Sequence, residues 1–156
     1  MATDAPVQGY KCKLYYDSAD SQASPTWVLI KNAIDVNLPD SQEEVEVSAR
    51  YADDKLYLAG QSDRAINFGY QYITGSGDTV FTALQTRKAN RTATQFAWAD
   101  GPIATTGTVY YKGWMTITQF DSAEELAGSK TFDITVKPTP HFTAGTLDTI
   151  TGPTTV

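Results

Sequence analysis

The chain has 156 residues, a net charge of −6, 41% hydrophobic residues and 12% aromatic residues. This length is typical of one domain with its own hydrophobic core, and the composition excludes a chain that is disordered throughout. The acidic balance argues against a nucleic-acid-binding protein, because such proteins hold phosphates with Lys and Arg. The single cysteine, Cys12, excludes an intrachain disulfide.

The first segments of the chain predict strands. Residues 10–16 alternate between their two faces in the manner of a half-buried strand, and residues 27–36 are largely apolar, which indicates a more deeply buried one. Residues 37–42 carry Pro39 and are expected to interrupt that strand.

A hairpin is predicted over residues 43–60, where two alternating segments flank an acidic turn. In its first strand the aliphatic and the acidic side chains fall on opposite faces. The aliphatic face carries Val45 and Val47, the acidic face carries Glu44 and Glu46, and the turn contains Asp53 and Asp54.

One helix is predicted, over residues 78–90. Asp78 is a suitable N-cap, and Arg87 and Lys88 lie near the C-terminus, where the helix dipole favours cations. Thr, Val, Ile and aromatic residues alternate along four further segments between residues 65 and 138, which predicts strands. These strands span residues 65–73, 92–99, 107–120 and 130–138.

Together the elements predict a mostly β fold, an antiparallel β-sandwich or half-barrel with one flanking α-helix. We expect a single domain over residues 1–138. Residues 139–156 are rich in Thr, Gly and Pro, which predicts an extended C-terminal arm that orders only on a partner.

The sequence shows no catalytic constellation. His141 is the only histidine, and it lies in a Pro-rich tail that would not position a general base. A glycosidase would need two acids on facing walls of a cleft, but acidic pairs such as Glu43 and Glu44 fall in turns or at strand starts. A calcium loop over residues 17–22 lacks the expected glycine and final glutamate. We therefore predict no enzyme, no metal and no cofactor.

A carbohydrate-binding β-sandwich stays open as an alternative. Aromatic side chains that share an exposed face can stack on sugar rings. The residues that would form such a platform are Tyr15, Tyr57, Tyr110 and Trp114.

The N-terminal residues lack a basic region followed by an apolar one, so no signal peptide is predicted. No apolar run approaches the ~20 residues that a membrane-spanning helix needs. We expect a soluble protein, without a membrane anchor, that is made in the cytoplasm.

An ordered series of features over residues 27–138 carries a family resemblance. In chain order it comprises Trp27 leading to Ile34-Asp35-Val36, the acidic segment 43–62, the strand 66–72, Gly77-Asp78-Thr79-Val80-Phe81 opening a helix, Tyr111-Lys112-Gly113-Trp114, and the strand 130–136 before a Thr-Pro tail. This order resembles that of the tail tube proteins (major tail proteins) of long-tailed bacteriophages, a family defined by pattern rather than by signature residues.

The resemblance implies a structural subunit of the virion tail, assembled in the host cytoplasm into stacked hexameric rings that form a hollow conduit. It implies as partners other copies of the chain, the tape-measure and tail-end proteins, and viral DNA that passes without sequence-specific binding. An inner-tube protein of a contractile tail or of a type VI-like injection system shares this fold and is the nearest alternative.

Candidate residues for ring-to-ring contacts or for the lumen follow from charge and position. Residues 37–63 suit a hairpin that reaches an adjacent ring, and residues 139–156 suit a segment that orders on a neighbour. Acidic side chains suit a lumen that must not bind DNA. The candidates are Glu43, Glu44, Glu46, Asp53, Asp54, His141 and Phe142.

Overall fold

The computed structural model describes residues 9–48, 50, 54–73, 77–124, 128–144, 146–147 and 150–156. Within these ranges the chain is mostly antiparallel β-structure with a single α-helix, which confirms the predicted fold class. The elements are a 3-10 turn (Gly9–Lys11), β1 (Lys13–Asp17), β2 (Trp27–Leu29), β3 (Ala33–Asn37), β4 (Asp40–Glu46), β5 (Tyr57–Arg64), β6 (Ile66–Gln71), α1 (Thr79–Asn90), β7 (Thr94–Ala99), β8 (Val109–Ala123), β9 (Thr131–Pro138), β10 (Phe142–Thr143), β11 (Thr146–Leu147) and β12 (Thr151–Thr155).

The main sheet curls into a half-barrel. Its strand order is β2-β1-β7-β8-β9-β6-β3, so β2 and β3 lie at opposite ends, yet only residues 30–32 join them along the chain. In a flat sheet the two strands would be about 29 Å apart, whereas four residue steps span at most about 15 Å. The sheet must therefore bend until its two ends meet.

The curl encloses one hydrophobic core, into which most strands send side chains and over which α1 packs Phe81 and Leu84. The ring of Phe81 lies 4.7 Å from that of Tyr72, 4.8 Å from that of Phe132 and 5.6 Å from that of Phe120, measured between centroids. This aromatic cluster fixes the helix on the sheet. The buried core residues are Leu14, Tyr16, Ile30, Ile66, Phe68, Tyr70, Phe81, Leu84, Phe96, Met115, Ile117, Phe132, Ile134 and Val136.

The predicted helix over residues 78–90 is confirmed, and its first turn is tied to the sheet. The Asp78 carboxylate accepts the backbone N–H of Phe81 at 3.0 Å and the hydroxyl of Tyr70 at 2.6 Å. Burial, and then the hydrogen bond to Asp78, raise the pKa of Tyr70 well above its usual value. The helix ends at Asn90 and is capped by Arg91, whose left-handed backbone directs its N–H to carbonyls of the last turn.

Two of the predicted strands differ from expectation. Residues 27–36 are not one buried strand, because the chain turns at residues 30–32 to pass from one end of the sheet to the other, and most of β3 is exposed. β1 is buried on both faces rather than one. Leu14 and Tyr16 enter the main core, while Tyr15 lies in a second cluster and its hydroxyl accepts the N–H of Ile103 at 3.2 Å.

The C-terminal segment also differs from expectation. After β9 the chain forms the short pair β10–β11 and then returns to the same edge of β8, where Thr151 pairs with Lys112. Ile150 packs against the core, and Gly113 permits this because an added Cβ would lie 2.8 Å from Ile150 Cγ1. The prediction that this segment orders only on a partner is therefore wrong for β12, since the 15-residue β8 offers an edge beyond the end of β9. The division of the chain at residue 138 stays a prediction.

Candidate assembly surfaces

β4 and β5 form a two-stranded sheet of their own, and every residue of β4 is exposed. The hairpin joins the half-barrel where the Ala65 N–H donates to the Pro39 carbonyl at 3.2 Å. At this junction Arg64 pairs with Asp40 at 3.0 Å, and Lys137 of β9 pairs with Asp63 at 3.3 Å. Exposed ion pairs contribute only ~0–1 kcal/mol, and an isolated hairpin is only marginally stable in water. We therefore expect the hairpin to gain stability by packing against another surface.

One face of the hairpin carries four exposed aliphatic side chains, which we call the aliphatic stripe. Val45 lies directly opposite Leu58, and the Val47 N–H donates to the Leu56 carbonyl at 2.8 Å, which continues the same register. Their exposed fractions are 47%, 60%, 44% and 51% respectively. Contiguous exposed apolar surface marks interaction sites, so the stripe is the best candidate for a contact surface.

The predicted acidic candidates lie on this hairpin and are exposed. Glu44 and Glu46 face away from the stripe, as the sequence alternation predicts, and Glu46 approaches Lys55 at 3.7 Å. Glu43 and Glu44 make no ion pair within the described residues. Asp54 is exposed near the end of the hairpin, and Asp53 lies outside the described residues. The assignment of these acids to the lumen or to ring contacts stays a prediction.

The two candidates of the C-terminal segment have different surroundings. The imidazole of His141 stacks on the indole of Trp114, with 3.6 Å between centroids and 9° between planes. The Trp114 indole N–H in turn donates to the Gln22 side chain at 2.8 Å. Phe142 is 61% exposed on β10. His141 therefore holds the C-terminal segment to its own sheet, while Phe142 remains accessible.

The acidic loop that begins at Asp17 is held in place by backbone N–H groups and by an ion pair with α1. The buried carboxylate of Asp17 accepts backbone N–H groups of Ala19 at 2.9 Å, Ser21 at 2.7 Å and Thr26 at 2.7 Å. Arg87 of α1 reaches the same loop and pairs with Asp20 at 3.1 Å. The carboxylate that would have begun a calcium loop is thus committed to the backbone, and the described residues contain no cluster of three metal-ligating side chains.

The four aromatic residues of the carbohydrate hypothesis share no exposed face. Tyr15 and Trp114 are buried, Tyr110 is half-buried, and Tyr57 is exposed on the hairpin. They therefore form no common stacking platform. The one α-helix of the described residues has 12 residues, too few to span a membrane.

Comparison with known proteins shows the fold. No family model and no curated protein matches the chain. Among solved structures, a chain from the tail of an empty gene transfer agent particle, refined with C6 symmetry, is 19% identical with a TM-score of 0.67, over 88% of this chain and 98% of that one. The SPP1 tail tube is 15% identical with a TM-score of 0.69, over 85% and 75%.

A chain from the sheath–tube complex of the extracellular contractile injection system PVC is 13% identical with a TM-score of 0.62, over 96% of this chain and 93% of that one. At these identities the similarity concerns the fold and not the site residues. The resemblance to tail tube proteins is thus confirmed in the fold, which extends over nearly the whole chain.

Proposed function

We propose that this chain is the structural subunit of a tail tube, in which copies associate into hexameric rings and the rings stack into a hollow conduit for DNA. The similarity to the SPP1 tail tube, over 85% of this chain, carries the proposal. The sixfold symmetry of the gene transfer agent tail supports hexameric rings. The role is structural and not enzymatic.

Two features of the chain itself support self-assembly, and a third suits a conduit. The hairpin projects without a core of its own, and the aliphatic stripe is left exposed. A hairpin that contacts a different surface on the next copy makes a head-to-tail contact, which closes into rings or propagates as a filament. The net charge of −6 disfavours DNA binding, as a conduit requires.

A contractile system is the second candidate, because the chain also resembles a chain of the PVC sheath–tube complex over 96% of its length. A tube of that kind would bind a sheath protein on its outer surface. Cosedimentation of assembled tubes with the sheath protein of the same virion, where one exists, distinguishes the two. In either system the tape-measure and tail-end proteins are the proposed further partners, and the virion tail is the proposed location.

Light-scattering mass against concentration tests self-association. We expect the mass to rise from 17.0 kDa to at least six times that value as the concentration of the purified chain increases. A mass that stays at 17.0 kDa up to the solubility limit would contradict the proposal.

A further inference from the structure

At the root of the hairpin the half-barrel opens into two adjoining depressions that share Leu38 and Trp98, and together we call them the trough. One depression encloses about 340 Å³ and reaches the core residues Phe96 and Met115. The other reaches Leu14. Leu38 is 39% exposed at the centre. The trough thus presents core-like apolar surface to solvent.

The rim of the trough carries positive charge. Lys13 and Lys31 line one depression and Lys112 lines the other, and none of the three forms an ion pair within the described residues. Asp35 is the acidic residue at the rim without such a pair, since Asp40 is already bound to Arg64. A ligand that fits the trough should therefore be apolar with adjacent negative charge.

The hairpin has this complementary character. It presents the aliphatic stripe, and beside the stripe, at the bulge of β4, lies Glu43, which makes no ion pair within the described residues. We propose that the hairpin of one copy docks in the trough of a second copy, with the stripe on the apolar floor and Glu43 near Lys13 and Lys31. This inference rests on the proposed function and names the acceptor surface for its self-association.

The occupant is a second copy because the hairpin leads away from its own trough. Asp40 and Arg64, at the root, form part of the trough rim. Val45 lies five residues further along β4, about 17 Å at ~3.3 Å per residue. The donor and acceptor surfaces are therefore different parts of one chain, and their contact is head-to-tail.

Charge reversal tests this docking. Glu43→Lys reverses the charge of the hairpin, Lys13→Glu with Lys31→Glu reverses the charge of the trough, and all three changes together restore the complementarity. We expect each of the two reversals to raise the critical concentration for assembly at least about tenfold, because like charges then face each other. The combined variant should return to within about threefold of wild type.

A matched control applies the same change in net charge elsewhere. Asp121 and Asp133 are exposed and lie opposite each other on β8 and β9. Asp121→Lys, which changes the net charge as Glu43→Lys does, should leave the critical concentration within about threefold of wild type. Circular dichroism on every variant verifies that the fold is retained.

Crosslinking provides an independent readout. Cys12 lines the trough and is half-buried. In a Leu58→Cys variant, a short bismaleimide should crosslink the new cysteine on the stripe of one copy to Cys12 of the next copy. The product should be a ladder of covalent oligomers. Tyr57→Cys, on the opposite face of the hairpin, should produce no ladder.

Two failures are distinguishable. Assembly of wild type with no loss on either charge reversal, no rescue by the combined variant, or equal ladders from both cysteine variants would overturn the docking and leave the tube function intact. A wild-type chain that never associates would overturn the proposed function itself.

Discussion

The aliphatic stripe gives the most quantitative prediction about assembly. The double variant Val45→Thr with Leu58→Thr keeps residues suited to a strand but removes apolar surface from this face. The two side chains are 47% and 60% exposed in the isolated chain, so about half of each remains to be buried by a partner. Since full burial of such a side chain contributes ~1.5–3 kcal/mol, the pair should contribute ~2 kcal/mol to assembly.

A loss of ~2 kcal/mol per contact corresponds to a rise of roughly 30-fold in the critical concentration for assembly. Sedimentation of polymer from a dilution series measures this quantity directly. The melting temperature of the unassembled chain should hardly change, because substitutions on an exposed surface cost about 0.5 kcal/mol or less.

Tyr57→Thr is the matched control, since Tyr57 is 51% exposed and pairs with Glu46 on the other face of the hairpin. It should change the critical concentration less than about threefold. A double variant that assembles within about threefold of wild type, or a control that impairs assembly as strongly as the double variant, would show that the stripe makes no contact in the assembly.

Four further predictions concern the fold itself. Leu84→Ala should cost ~3 kcal/mol in urea unfolding, because Leu84 is fully buried; a loss below ~1 kcal/mol would contradict the described core. Asp17→Ala leaves three backbone N–H groups without their acceptor and should lower the melting temperature more than Asp17→Asn. A greater loss in Asp17→Asn would contradict the hydrogen bonds described for this loop. Because the pKa of Tyr70 is raised on folding, its contribution to stability is complete below the unfolded pKa of 10.0 and is lost as the pH rises through the higher folded pKa. In alkaline buffers the free energy of unfolding in urea should therefore fall more steeply with pH for wild type than for Tyr70→Phe. Parallel pH dependences would contradict the raised pKa. Truncation after Pro138 removes β12 and should lower the melting temperature as well as assembly, so an unchanged melting temperature would contradict the pairing with β8.

Much of the fold was predictable because local signals and tertiary packing agree. Alternation along β6 and β9 matches the faces that are buried, and Asp78 caps the helix as its position predicts. The division of residues 27–36 was not predictable, because the turn at residues 30–32 is required by the curl of the whole sheet. The double-sided burial of β1 likewise depends on the loop around Ile103, which is distant in sequence.

The candidate surfaces were predictable only in part. The alternation over Val45 and Val47 correctly separated the two faces of the hairpin, but alternation alone does not tell a core-facing side from one that awaits a partner. The trough brings together residues of distant segments, such as Lys13 and Lys112, so no local pattern reveals it. The Thr-rich composition after residue 138 does not indicate β12. This strand forms because β8, which is distant in sequence, is long enough to offer it an unpaired edge.

Negative-stain electron microscopy of the concentrated, purified chain tests the tube assignment most directly. We expect hollow tubes of uniform diameter whose cross-sections average with sixfold symmetry. Compact single particles at every concentration, or solid filaments without a central channel, would contradict it.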